Sequence, residues 1–146
     1  MILGVHGLTG HALQPLRDAE APFEWSLAAR NFLAVTAACM MSRKSAFAAV
    51  GGFNERDLGV AWNDVDYCLR LRKAGYRIVL NPHATLHHLE SQSRGDDKNW
   101  AEVAYMKAHW RSEICDDPYF NRNFTRADSV FHLRTDPDEA QRYFYR

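Results

Sequence analysis

Trp100, Val103, Met106, Trp110 and Ile114 recur at spacings of 3, 3, 4 and 4, one apolar stripe that predicts a long helix over Lys98–Cys115. Val65, Cys68, Leu69 and Leu71 share another helical face. With Asn63 as N-cap, Asp64 and Asp66 in the first turn and Gly75 as the closing residue, they predict a helix over Asn63–Ala74. Arg72 projects into the same arc and needs a partner. The nearly unbroken apolar run Leu33–Met41 predicts a central strand buried on both faces, preceded by a short helix over Glu24–Phe32. Ser42 then reads as the cap of a helix over Arg43–Val50 that Gly51–Gly52 stop with left-handed backbone, so that Phe53 folds back onto the core. Tyr76–Leu80 and Thr85–His88 read as short strands around an Asn81–Pro82 turn. Breaks near residues 14–22, 51–61, 91–97 and 116–128 read as loops within one unit, and the residues from Asp116 onward as an extended tail.

Composition narrows the function classes. Eighteen basic residues balance eighteen acidic ones in 146, so no electrostatic footprint for nucleic acid or an anionic membrane is expected. Phe32–Met41 is about half the length of a membrane-crossing helix, and Met1–Leu16 has no basic start before its apolar residues, unlike a secretory signal. Cys39, Cys68 and Cys115 are odd in number and never form a C-x-x-C pair. Reduced thiols and a cytoplasmic location follow as expectations.

The chemistry is concentrated in Gly51-Gly52-Phe53-Asn54-Glu55 and in the segment from Trp62-Asn63-Asp64-Val65-Asp66 to Gly75-Tyr76. It continues through Pro82 and His87-His88-Leu89-Glu90-Ser91-Gln92-Ser93-Arg94-Gly95 to Asp117-Pro118-Tyr119-Phe120-Asn121. In order and spacing this series resembles inverting family-2 glycosyltransferases of the GT-A fold, in particular rhamnosyltransferase-like relatives that build bacterial surface polysaccharides. Val5–Leu16, with Gly7, Gly10 and His11, is similar to the linker that precedes their acceptor half. The resemblance implies an α/β fold. The chain is then the acceptor-side, C-terminal half of a GT-A (Rossmann-like) mixed sheet flanked by helices, one partial domain over residues 1–146. No D-x-D motif precedes Asp64, so the N-terminal nucleotide-binding half of such an enzyme is expected to be missing.

On that resemblance Asp64 is the base that takes the proton of an acceptor hydroxyl, a role worth typically about 10²–10⁴ in rate. Read from spacing alone, Asn63, Asp64 and Asp66 are equally what a helix N-terminus prefers, and Asp66 is expected to be a cap. His88 is the candidate metal ligand, with Mn²⁺ or Mg²⁺ supplied alongside the missing half, and His87 points to the opposite face. Gly52, Phe53, Trp62, Asn63, Ser93 and Arg94 are the candidate substrate-binding residues, the aromatic pair as stacking faces for a sugar and Ser93–Arg94 as a loop over the nucleotide. The expected partners are a nucleotide-sugar donor, a saccharide acceptor and a second copy of the chain, and the chain alone is expected to be inactive. A non-catalytic carbohydrate-binding or protein-interaction module is the rival, and a small metal domain built on His87 and His88 lacks further ligands at short spacing.

Overall fold

Helix formation is strongest where acidic residues open a segment and a glycine closes it, and the longest helix among the described residues lies there. The computed structural model describes residues 1–14, 16, 27–86, 99–137 and 139. Two short antiparallel ribbons run through it: β1 (Ile2–Leu3) with β2 (Thr9–Gly10), and β3 (Arg30–Phe32) with β4 (Ile78–Leu80), in which Asn31 faces Val79. The helices are α1 (Lys44–Ala49), α2 (Asn63–Lys73), α3 (Trp100–His109) and α4 (Arg111–Cys115). The architecture is mixed α/β with small sheets. Among the described residues no helix is long and apolar enough to cross a membrane.

Two helices end by the same device. After α2 the Tyr76 amide donates to the Leu71 carbonyl and the Gly75 amide to that of Arg72, with Gly75 at φ 89. After α1 the Gly52 amide donates to Phe47 and the Gly51 amide to Ala48, with both glycines left-handed. These are the paired bonds of a Schellman closure, which needs positive φ at its turning residue.

The larger apolar cluster packs Val65, Tyr67, Cys68, Leu69 and Leu71 of α2 against Leu33, Leu58, Ile78, Met106, Trp110 and Ile114. A second, smaller cluster joins Ile2, Val5 and Phe32 to Phe120, with Phe124 and Phe131 stacked beside it at a ring separation of 5.4 Å.

Several expectations give way. The strand expected over Leu33–Met41 lies earlier, at Arg30–Phe32, which also removes the helix expected over Glu24–Phe32 from those residues. Thr36 turns the apolar run: its Oγ accepts from the Ala38 amide and caps a 3₁₀ turn over Ala37–Cys39. Ser42 does not cap α1; its hydroxyl accepts from Tyr67 instead, and Arg43 stands at the cap position. The Lys98–Cys115 helix breaks at Trp110 (φ −125, ψ 23) into α3 and α4, and Trp100, expected on the buried stripe, is 73% exposed. Thr85 and Leu86 are not in a strand, while His87 and His88 lie outside the described residues. The expected tail is no tail between Asp117 and Glu139, where Phe120, Arg126, Ser129 and Glu139 are buried. Arg72 has the partner it needs, donating to the Tyr119 hydroxyl at 2.9 Å with its guanidinium 5.1 Å from that ring.

Candidate functional site

Asp64 opens α2 from a half-buried position. Its Oδ1 accepts from the Val65 amide at 2.8 Å and its Oδ2 from the Ala37 amide at 3.0 Å, 27 residues earlier in the chain. Each carboxylate oxygen has two lone pairs, so both keep acceptor capacity after these bonds. Ala37 is also a wall of an open cleft of about 550 Å³, which Met40, Met41, Ser42, Lys44, Phe47, Phe53 and Tyr67 complete. The turn that Asp64 holds therefore forms one side of the cleft.

The opposite side is aromatic. Phe47, Phe53 and Tyr67 meet with ring centroids 5.1 to 5.6 Å apart. Gly52 allows this packing, since a Cβ there would lie 2.8 Å from the Phe47 ring. The turn is also held from α2: the Arg70 guanidinium donates to the carbonyls of Val50 and Gly52, the latter at 2.7 Å, while its Nε donates to Asp66 at 2.8 Å. Gly52, expected to meet substrate, is buried, and its carbonyl is taken. Phe53 is half-buried and lines the cleft.

Asp66 is not a cap. It is fully buried, and its second oxygen accepts from the Trp110 indole at 2.8 Å, so one carboxylate holds Arg70 of its own helix and ties α2 to the α3–α4 joint.

Trp62 occupies the N-cap position of α2 in a left-handed conformation, φ 55 and ψ 6. For a bulky residue that conformation costs about 1–2 kcal/mol and persists only where the surroundings impose it. The surroundings do so from both ends. The Asp66 amide donates to the Trp62 carbonyl at 2.9 Å, and just before Trp62 the Glu102 carboxylate accepts from the amides of Val60 (2.9 Å) and Ala61 (2.8 Å). Sequence reasoning missed Glu102. An acid in the first turn of a helix reads as a partner of the macrodipole, and nothing local points to amides 41 and 42 residues away. Trp62 packs its ring against the larger cluster, and Asn63 is half-buried as the first residue of α2.

Of the expected site residues, Phe53 lines the cleft and Asp64 is bonded to its wall residue Ala37, while Trp62 and Asn63 precede Asp64 at the start of α2 and Gly52 is buried beneath the Phe47 ring. His88, Ser93 and Arg94 lie outside the described residues. Among the described residues no three His, Cys, Asp or Glu side chains converge where they could hold a metal ion. Burial pushes the Cys68 thiol, on the inner face of α2, up to about 11.

Known proteins similar to this chain are much longer than it. It is 40% identical over 141 residues to an uncharacterized protein, y4gI, of Sinorhizobium fredii; the match takes in 91% of this chain and 16% of that protein. It is 33% identical to the O-antigen biosynthesis protein RfbC of Myxococcus xanthus, over 97% of this chain and 11% of that one. It is also 33% identical over 104 residues to an N-acetylglucosaminyl-diphospho-decaprenol L-rhamnosyltransferase of Mycobacterium tuberculosis, covering 71% of this chain and 29% of the enzyme. The chain therefore spans less than a third of the length of these relatives. No family model matches it, and no solved structure does.

Proposed function

We propose that the chain is the acceptor-side part of an inverting glycosyltransferase of polysaccharide biosynthesis, in which Asp64 is the general base. The observation that carries this reading is the placement of Asp64. Two backbone amides fix its carboxylate, one of them from Ala37, a residue that lines an open cleft, and both oxygens keep acceptor capacity. The similarity to a protein named for O-antigen biosynthesis and to one named a rhamnosyltransferase supports the reaction class.

In the reaction the acceptor hydroxyl oxygen attacks the anomeric carbon of a nucleotide-sugar as the bond from that carbon to the diphosphate breaks, and the hydroxyl proton passes to Asp64. A positioned base of this kind contributes about 10²–10⁴ in rate. Phe53, on the aromatic wall, offers a face for an acceptor sugar. A divalent cation, Mn²⁺ or Mg²⁺, belongs to the same reading as the counter-charge of the departing diphosphate, with His88 as its candidate ligand. On this reading nucleotide binding and turnover belong to a longer protein of which the chain is a part. The three free cysteines fit a reducing compartment.

Asp64→Asn in the full-length protein tests this. The amide keeps the size and one acceptor oxygen but turns its NH₂ toward the Val65 or Ala37 amide, so a stability loss of about 1 kcal/mol is expected while kcat falls by about 10²–10⁴, far more than that loss explains. Wild-type turnover in that variant, with donor and acceptor saturating, removes Asp64 from the mechanism. A specific observation favours a second reading, a binding module without turnover: Met41 at the cleft is 98% exposed, with Val60 and Val79 about half exposed. A folded full-length protein that binds saccharide, or pairs with itself, but transfers nothing would favour it.

A further inference from the structure

Glu102 lies on α3, is 2% exposed, and spends both carboxylate oxygens on the Val60 and Ala61 amides. A buried carboxylate is tolerated only where donors replace its water, and here two backbone N–H groups do so. Those groups belong to the stretch between Leu58 and α2, which has no regular structure to fix its path. The chain passes directly from the clamped pair into Trp62, left-handed at φ 55, and from there to Asn63 and Asp64. Because α2 fixes the far side of Trp62 through the Asp66 amide, the entry angle of the helix is set by what holds residues 60 and 61.

We propose that Glu102 is a positioning residue for Asp64: its carboxylate fixes the path of residues 60–62, and through the left-handed Trp62 the direction in which the Asp64 carboxylate leaves α2. The inference rests on the reading of Asp64 as the base. It requires two acceptor oxygens at one site, which only a carboxylate supplies. Glutamine has the same length but would turn an NH₂ group toward one of the two amides, leaving a donor facing a donor.

The test compares Glu102→Gln with Glu102→Asp, which keeps the charge and both acceptors one methylene further away. In the full chain, amide hydrogen exchange and amide chemical shifts are read by NMR at Val60, Ala61, Ala37 and Val65. Ala37 and Val65 report on Asp64 because each donates to it. Glu102→Gln is expected to lose at least tenfold protection at Val60 and Ala61 and to shift the Ala37 and Val65 amides. Met106 and Ile114, in the larger cluster, should keep their protection. Glu102→Asp is expected to fall between Gln and the parent at all four positions. In the full-length protein, kcat should fall about tenfold or more in Glu102→Gln with KM for donor and acceptor within about twofold.

Unshifted Ala37 and Val65 amides in Glu102→Gln overturn the proposal, as does an equal loss of protection across the larger cluster, which marks Glu102 as structural only. If Glu102→Gln does not fold, Glu102→Asp decides: parent-like Ala37 and Val65 amides alongside weakened protection at Val60 and Ala61 overturn the proposal. Failure of the base assignment shows separately, as wild-type turnover in Asp64→Asn, while the NMR comparison still decides whether Glu102 aims that carboxylate.

Discussion

Around α2 the backbone polar groups pair within helices and in two glycine-closed turns, whereas along residues 117–139 side chains take over much of that work. Asp117 accepts from the amides of Leu3 and Tyr119, Glu139 from those of Arg126 and Ala127, Asp128 from Val130 and Asn121 from Asn123. Arg126 in turn donates to the Leu3 carbonyl and lies 5.5 Å from the Phe120 ring. Beyond one isolated bridge, Phe124 with Leu133, the described residues there form no strand. The difference shows how this chain stabilises irregular backbone: a buried carboxylate stands in for the missing ladder. The candidate site follows the rule of the second region although it sits in the first. Asp64 and Glu102 hold the irregular segments on either side of the start of α2, as Asp117 and Glu139 hold the far region.

The comparison breaks first at Asp66, a buried carboxylate of α2 that pairs with side chains rather than amides. Asp66→Ala removes the counter-charge of Arg70, which keeps its two carbonyl partners, and leaves the Trp110 indole without an acceptor, so the expected loss is about 3 kcal/mol, the low end for a broken buried pair because Arg70 is partly exposed. Urea denaturation measures it, and a loss below about 1 kcal/mol would show that the hub is dispensable.

Two glycines with the same backbone sharpen the contrast between the regions. Gly4 has φ 86, and a Cβ there would lie 2.1 Å from the Arg126 guanidinium and 2.5 Å from the Ile114 carbonyl. Gly51 has φ 79 with nothing within 4 Å. Gly4→Ala should cost about 2–4 kcal/mol, combining overpacking with left-handed strain, against about 1 kcal/mol for Gly51→Ala, which bears the strain alone. Equal shifts in melting temperature would mean that the second region yields where its side-chain network implies it cannot.

The smallest effect is a ranking of thiol labelling rates at pH 8. Cys39 is exposed, Cys115 half-buried beside the second region, and Cys68 buried and pushed up to about 11, so it stays protonated and shielded. Cys39 should react first and Cys68 last, with Cys115 reporting how readily its neighbourhood opens. Labelling of Cys68 at the rate of Cys115 would place an opening motion in α2 itself.

Local signals in the sequence carried α2, both glycine closures, α1 to within a residue at each end and the need of Arg72 for a partner, because each is decided within one or two turns of chain. Pairings at long range were not legible. Arg30–Phe32 becomes a strand only because Ile78–Leu80 lies beside it, and the apolar Leu33–Met41 run carries no mark of where it leaves the sheet except Thr36. The turn-rich stretch from Asp117 reads as a tail because Asp and Asn crowd it, although Phe120, Phe124 and Phe131 were a signal that it returns to a core. At the site, the succession Trp62, Asn63 and Asp64 at the start of α2 and the place of Phe53 after the glycine turn were visible in the order of residues. The left-handed Trp62 was not, since helix-start rules favour Asn63 as the cap.

The Arg70 fork has a mechanical consequence. One guanidinium grips a carboxylate on its own helix and two carbonyls of the turn that carries Phe53, so the aromatic wall of the cleft and the helix that bears Asp64 shift as a single rigid piece. Relative motion between the two walls is left to the strip from Val35 to Ser42, tethered to that piece by the Ala37 amide on Asp64, the Tyr67 hydroxyl on Ser42 and the Cys68 thiol on the Val35 carbonyl. Stiffness is therefore unevenly distributed around the cleft, and compliance belongs to its methionine-lined side.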